Sequence, residues 1–385
     1  MATAPLAGLR VLELARILAG PWIGQVLADL GADVIKVEAP GGDDTRGWGP
    51  PFIERETAIG TDRSAAYFHG ANRGKRSIAL DFRDPADLAV TKALAARADV
   101  VVENFKVGGL AKHGLDHASL SAGNPGLVTC SVTGFGQDGP RAAQPGYDFM
   151  IQGMAGIMDL TGPAEGEPQK MGVAFADIFT GLYGVIAIQA ALAERARSGR
   201  GQHIDMSLMD AMTGVLANQA MNYFATGTPP RRLGNAHPNI VPYQVFPAAD
   251  GHLIIACGND GQFRRLCATL GLDALAEDPR FATNPDRVAA RADLVPALAA
   301  ATAARPRGDL IATLTAAGVP AGPINTVGEA LADPQIHHRG LRIEPGGVPG
   351  LRTPIAFSDS ALAHDRPAPG LDEHRAEILA ELDND

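Results

Sequence analysis

The sequence predicts an α/β fold with a parallel central sheet, on three observations. Leu9–Leu14, Gly20–Leu30 and Ala32–Glu38 alternate strand, helix and strand, which is a βαβ unit. Asp99–Phe105 and Gly126–Val132 are apolar runs without alternation, as strands covered on both faces are. The texture changes between Thr226 and Asn239, where Gly, Pro, Arg, Asn and His gather before a hairpin pattern, so a second domain begins there.

In chain order, Gly20-Pro21 opens the first helix, with Pro where a first turn tolerates it, and Gly31 closes it. Glu38 follows the first turn by about twenty residues, where a dinucleotide-binding fold holds a ribose. The turn Ala15–Pro21 lacks the glycine fingerprint, which argues against nicotinamide. Gly41–Phe52 is a polar loop containing Arg46 and Trp48. Arg73, Lys75 and Arg76 crowd before the strand Ser77–Asp81, as a phosphate grip or a solvated loop. A helix over Pro85–Ala98 leads to Asp99–Phe105, whose end places Asn104 and Phe105 where ligands of α/β sheets collect. Gly134, Gly136 and Gly139 fit the dinucleotide spacing, but Pro140 and a polar loop follow where a helix is required. These glycines instead let backbone approach a ligand or turn tightly. Helices over Phe149–Met158 and Ile178–Ser198, the strand His203–Met206 and a helix over Met209–Ala225 complete this part.

Beyond the break, Val241–Phe246 and Leu253–Cys257 flank an Asp250-Gly251 turn as a β-hairpin. Helices are expected over Asp260–Leu270, Asp286–Ala304 and Pro306–Ala317, an extended run over Val319–Ile324, and a final helix over Glu373–Leu382.

The 385 residues allow two domains, and 46% hydrophobic with 20% charged residues describes an ordered globular chain. A net charge of −10 argues against nucleic acid or an anionic membrane as partner. The three cysteines, Cys130, Cys257 and Cys267, form no CxxC pair, so no disulfide framework and no metal site are expected. The N-terminal residues are neither a signal nor a transit peptide, and no run of about eighteen apolar residues is uninterrupted. The expectation is a cytoplasmic protein with no membrane span.

Asp177 stands at the mouth of a Gly/Ala-rich apolar helix. A carboxylate in such surroundings is costly unless it is hydrogen-bonded. Backbone N–H groups and the helix dipole favour a negative charge there, so the residue reads either as an N-cap or as a reactive group. Asp148, just before another helix, is the alternative nucleophile or a cap.

Several segments together resemble the class III CoA-transferases of the CaiB/BaiF type, the family of formyl-CoA transferase and the α-methylacyl-CoA racemases. They are Leu6-x-Gly8-x-x-Val11-Leu12-Glu13-Leu14, Ala19-Gly20-Pro21, Leu27–Glu38, Gly42–Arg46, Asn72-x-x-Lys75-Arg76-Ser77-Ile78, Val102–Phe105, Thr133–Gly136 and Gly199-x-Gly201-Gln202. Arg232-x-Gly234-x-x-His237-Pro238, with Asn259, Gln262 and Gly318–Asn325, is similar to the succinyl-CoA:dicarboxylate branch, which uses glutarate, hydroxymethylglutarate, itaconate or mesaconate-like acceptors. The resemblance implies a Rossmann-like large domain from residues 1–225 and 326–385, a small α+β domain over 226–325, and an interlocked homodimer. It places the catalytic aspartate on Asp177. CoA contacts fall on Ile17, Leu18, Leu80, Arg83, Asn104, Phe105, Lys106, Lys112, Gln144 and Tyr147. CoA thioesters are implied as substrates, with no permanently bound cofactor. The formyl-CoA branch has an arginine where this chain has Ala39 and a glutamine where it has Leu18. For the acid substrate, Arg46, Arg73, His237, Tyr147 and the backbone at Gly134 and Gly136 are the candidates, with structural ion pairing the alternative for the arginines.

The racemase branch places a histidine where this chain has Tyr147 and a glutamate where it has Phe246-Pro247-Ala248, and racemisation needs an acid and a base on opposite faces. That favours transfer. A non-catalytic CoA- or nucleotide-binding protein would keep Asn104 and the basic loop but would not need Asp177.

Overall fold

The computed structural model describes residues 3–384. One compact unit combines the chain up to Ile157, Lys170–Met221 and the residues from Pro334 on; the other combines Met158–Gln169 with Asn222–Asp333. In the first unit the strands include β1 (Arg10–Glu13), β2 (Asp33–Glu38), the antiparallel pair β3 (Phe52–Thr57) and β4 (Gly60–Ala65), β5 (Arg76–Ala79), β6 (Val100–Glu103), β7 (Val128–Thr133) and β8 (His203–Ser207), with a short antiparallel pair, Arg342–Ile343 and Gly350–Leu351, near the C-terminus. Its helices include α1 (Ala19–Asp29), α2 (Ala66–Asn72), α3 (Pro85–Arg97), α4 (His117–Gly123) and α5 (Asp148–Met154); α6 (Ile157–Leu160) follows, and α7 (Phe175–Ser198) is the longest.

Six strands form one parallel sheet in the order β5-β2-β1-β6-β7-β8, the order of doubly wound nucleotide-binding sheets. The mixed α/β expectation holds. Period-two geometry sends Val11, Val100 and Val102 into a core with α1 and α7, and Leu12 and Val101 into a core with α3 and the C-terminal helix Arg375–Asn384. Both faces are covered, so the strands read as apolar runs. Strand order reverses beside β1, which opens a crevice outside the ends of β1 and β6.

The β3–β4 hairpin, α2 and α4 have no counterpart in the sequence reading. The hairpin strands alternate charges (Glu54, Arg55, Glu56 against Asp62, Arg63), which hides a strand behind a loop-like composition. The helix expected over Met209–Ala225 breaks into Leu208–Gly214 and Ala217–Thr226, because Ala217 takes φ 45°. By length and mean composition α7 is apolar enough to cross a membrane, although Asp177, Thr180, Gln189 and Glu194 interrupt its apolar run. Its Gly181 and Gly184 lie against α1, where a Cβ on Gly181 would meet the Ala19 carbonyl at 3.0 Å, so small residues serve close packing within the unit.

In the second unit, β9 (Tyr243–Ala248), β10 (Gly251–Ala256) and β11 (Ala321–Pro323) form an antiparallel sheet. Phe246, Leu253 and Ile255 bury with Phe263, Leu298 and Leu310 of the helices around it. The helix expected over Asp286–Ala304 is two helices, Asn284–Ala289 and Arg291–Ala303, the first opened by a Thr283/Asp286 capping box.

Candidate active site

Just past the ends of β1 and β6, two residues tie the loops at the crevice together. The Arg16 amide donates to Asn104 Oδ1 at 3.0 Å, and Asn104 Nδ2 donates to the Arg16 carbonyl at 2.7 Å. The next residue, Ile17, takes φ 72°, a left-handed conformation that a β-branched side chain rarely adopts. What holds it is Asp43, whose carboxylate accepts the Ile17 amide at 3.2 and 3.3 Å. Asp43 is fixed in turn by Lys36 at 3.0 Å and by the Thr45 amide and hydroxyl. Lys36 also donates to the Ala15 carbonyl at 2.8 Å and pairs with Glu13. Burial alone would lower the Lys36 ammonium, but the Glu13, Asp43 and Glu38 carboxylates outweigh it and push the group up to about 12. A buried ionic cluster therefore shapes the loop Ala15–Ile17 from beneath.

Two adjoining cavities open along this loop, of about 660 Å³ and 350 Å³. Leu80, Arg83 and Lys112 line the larger, and Ile17, Leu18, Gln144 and Tyr147 the smaller. Asn104, Phe105 and Lys106 belong to both, as do Arg16 and Asp44. Phe105 stacks on Phe82 at 6.1 Å beside Lys106. Every position expected to touch the nucleotide thioester thus lies on one continuous path. Ala39 lines the larger cavity and supplies no charge there.

Asp177 lines the smaller cavity. It is not the N-cap of α7: the capping position is Ala174, which makes no side-chain bond, and Asp177 sits in the first turn. The capping is done from outside by Asp148, whose Oδ1 accepts the Ala176 amide at 2.8 Å. Its other oxygen accepts Gln152 Nε2 at 2.8 Å, and Gln152 accepts the Met171 amide at 2.9 Å. Asp148 is therefore occupied as a cap, for α7 rather than for its own helix. Burial, with the Asp148 charge added, raises the Asp177 carboxyl to about 7. A carboxylate that basic is a better nucleophile than a solvated one.

Two loops meet beside it. A Cβ built on Gly134 would stand 2.4 Å from the Gly146 Cα, and one on Gly146 2.3 Å from the Gly134 Cα, so neither position accepts a side chain without backbone movement. Gly134 lines the Asp177 cavity, whereas the Gly136 amide donates to Thr133 Oγ1 at 2.9 Å and is already satisfied. Of the two glycines expected as oxyanion donors, only Gly134 lines the cavity.

The arginines expected to hold an acid are engaged elsewhere. Arg46 donates to both Glu38 oxygens at 2.7 and 2.8 Å and lies 3.7 Å over the Phe68 ring. Arg73 forks onto buried Asp29 and donates to the Leu351 carbonyl at 2.7 Å. Neither lines the two cavities, which favours the structural ion-pairing alternative for both. Glu38 lines the larger cavity, but its carboxylate is engaged by Arg46, Ser77 and the Asp43 amide. His237 belongs to the second unit, where its Nδ1 accepts the Asn239 amide at 3.0 Å and its ring tilts against Tyr243.

The sequence reading missed Arg16 and Tyr67, and gave Trp48 no role. Tyr67 meets Trp48 edge-on at 5.2 Å, and burial followed by the charges of Asp177, Asp148 and Asp43 pushes its phenol up to about 12. Tyr67 sits five residues before Asn72, within reach of that motif. Arg16 stands just past the end of β1, where its position alone could have flagged it.

A family model described as CoA-transferase family III matches residues 6–375. The succinate–glutarate CoA-transferase of Agrobacterium fabrum is 58% identical over 385 residues, covering 98% of this chain and 96% of that protein. The succinyl-CoA:glutarate CoA-transferase of Mus musculus is 40% identical, over 98% of this chain and 86% of that protein. The crystal structure of a CaiB/BaiF family protein from Brucella suis superposes with a TM-score of 0.90 at 64% identity, covering 99% of this chain and all of that one.

Proposed function

Because the chain belongs to CoA-transferase family III, we propose that it moves CoA from succinyl-CoA to glutarate or a related dicarboxylate, with Asp177 as the nucleophile. The observation that carries this reading is a carboxylate raised to about 7 in the cavity that the expected CoA positions also line. Asp177 attacks the thioester carbonyl and expels CoA thiolate, leaving a mixed anhydride between Asp177 and the donor acid. The thiolate then attacks the aspartyl carbonyl, releases the donor carboxylate and forms an aspartyl-CoA thioester. The acceptor carboxylate attacks that thioester, and the thiolate takes the acceptor acyl group in the last step, which restores Asp177.

Three features support the sequence of steps. The first turn of α7 presents its dipole to each oxyanion, and the Gly134–Gly146 contact keeps backbone close to the reacting carbonyl. The half-buried position of Asp177 restricts water, which would hydrolyse either intermediate. The larger unit is the CoA-binding domain and the second the small domain, as the family resemblance implies. Interlocked pairing of two copies comes from the same resemblance and suits the exposed apolar side chains Tyr147, Phe149, Leu182 and Ile186. Buried free cysteines suit a reducing compartment, so we place the reaction in the cytoplasm.

The test is an intact-protein mass spectrum after incubation with succinyl-CoA and trapping with hydroxylamine or borohydride. The adduct is expected on the Asp177 peptide and absent in Asp177→Ala. No adduct, together with deuterium wash-in at the α-carbon of a methyl-branched acyl-CoA, overturns transfer in favour of racemisation.

A further inference from the structure

With Arg46 and Arg73 bound to internal carboxylates, the far carboxylate of a dicarboxylate needs another partner. Among the described residues that line the Asp177 cavity, only Arg16 and Lys106 are cationic, against Asp44, Asp148 and Asp177. A dianion entering that cavity meets three carboxylates, so it requires one of the two cations. Lys106 offers an ammonium point charge on a flexible stem. Arg16 offers a planar fork that matches a carboxylate, on a backbone fixed at both its amide and its carbonyl by Asn104.

The fork already holds a carboxylate: Arg16 Nη1 lies 2.5 Å from Asp44 Oδ2. That pair differs from the others in one respect. The Arg16 and Asp44 side chains are 65% and 49% exposed, whereas those of Arg73 and Asp29 are 6% and 0%. An exposed pair is weak and exchangeable, and a buried one is not. We propose that Arg16 receives the distal carboxylate of the substrate, releasing Asp44 as the acid enters, and so selects dicarboxylates over monocarboxylates. One acid can then present its reacting carboxylate to Asp177 and its far one to Arg16 within a single cavity. This rests on the dicarboxylate reading given above.

The experiment compares glutarate with pentanoate, which has the same chain length and no distal charge. Acetyl-CoA serves as donor, so the donor acyl group does not itself need Arg16. Glutarate binding to the full-length protein is measured by calorimetry alongside. In Arg16→Gln the glutarate-to-pentanoate ratio of kcat/KM is expected to fall about ten- to hundredfold, with a matching loss of glutarate affinity. Arg16→Lys should fall between, and Asp44→Asn, which frees the fork, should tighten glutarate. An unchanged ratio overturns the proposal. So does a loss shared by pentanoate or carried by the KM for acetyl-CoA, since either assigns Arg16 to the CoA phosphates or to the fold. Protein that binds glutarate through Arg16 but transfers no CoA leaves this inference standing and sinks the transfer reading instead.

Discussion

Asp148 and Asp177 are linked twice, once through the backbone and once through charge. Asp148 Oδ1 holds the Ala176 amide at 2.8 Å, which fixes the first turn of α7, and its negative charge adds to burial in raising the Asp177 carboxyl to about 7. One side chain thus fixes the turn that carries its neighbour and adds to that neighbour's basicity, and each effect has its own readout.

The basicity appears in the pH profile. As the proposed nucleophile Asp177 must be ionised to attack, so kcat/KM should rise through pH 7 in the unaltered protein. Asp148→Asn keeps an oxygen for the Ala176 amide and removes the charge, so the Asp177 carboxyl becomes more acidic. The acid limb of the profile should then move to lower pH while the fold is retained, apart from the bond to Gln152. An acid limb that stays in place would show that burial alone sets Asp177. A limb that moves to higher pH would contradict the charge coupling.

The same shift makes Asp177 a stability liability. Its folded value is raised from 3.8 to about 7, so folding favours the protonated form. The stabilising contribution of that form is complete below about pH 4 and is lost as pH rises through 7. Roughly three units correspond to at most about 4 kcal/mol, and partial solvent access reduces this to about 1–3 kcal/mol. Asp177→Asn should therefore match the parent near pH 4 and exceed it by that amount at pH 8, while losing transfer. Denaturant unfolding at the two pH values measures it, and equal stability at both would refute it.

Much of this arrangement can be read from the chain, for identifiable reasons. Apolar runs such as Val100–Val102 announce buried parallel strands, and the residues after them announce the crevice, so Asn104 and Phe105 are placed by local pattern alone. Asp177 stands out because a carboxylate opens an apolar helix. What local pattern cannot supply is the partner of a charge. Arg73 meets Asp29 across 44 residues and Arg16 meets Asn104 across 88, so exposed and buried arginines look alike in the sequence. The left-handed Ile17 is equally hidden, since its conformation is imposed by Asp43 from another loop.

Gly134 tests whether close backbone approach matters to the chemistry. Adding a Cβ there forces the Gly146 loop away from a 2.4 Å contact with main chain, which cannot rotate aside. Gly134→Ala should cost about 1–3 kcal/mol of stability through overpacking. It should also lower kcat by about a hundredfold, because displaced backbone no longer meets the proposed oxyanion position. Thermal unfolding and single-turnover labelling of Asp177 separate the two effects. A variant that loses stability but labels at the parental rate would remove this loop from the chemistry.

Arg73 provides the contrast to Arg16. Its guanidinium is buried against Asp29, which also accepts the Thr353 amide at 2.9 Å, and it reaches the Leu351 carbonyl, so it ties α1 to the C-terminal return of the chain. Removing one partner of a buried pair leaves an uncompensated charge, at about 3–5 kcal/mol. Arg73→Met should therefore lower the unfolding midpoint strongly, and Asp29→Asn should recover part of that loss in the double variant because the stranded charge is gone. Whatever enzyme folds should keep the proposed preference for glutarate over pentanoate. A selective loss of that preference in Arg73→Met, with stability intact, would return the distal carboxylate to Arg73 and away from the cavity that holds Asp177.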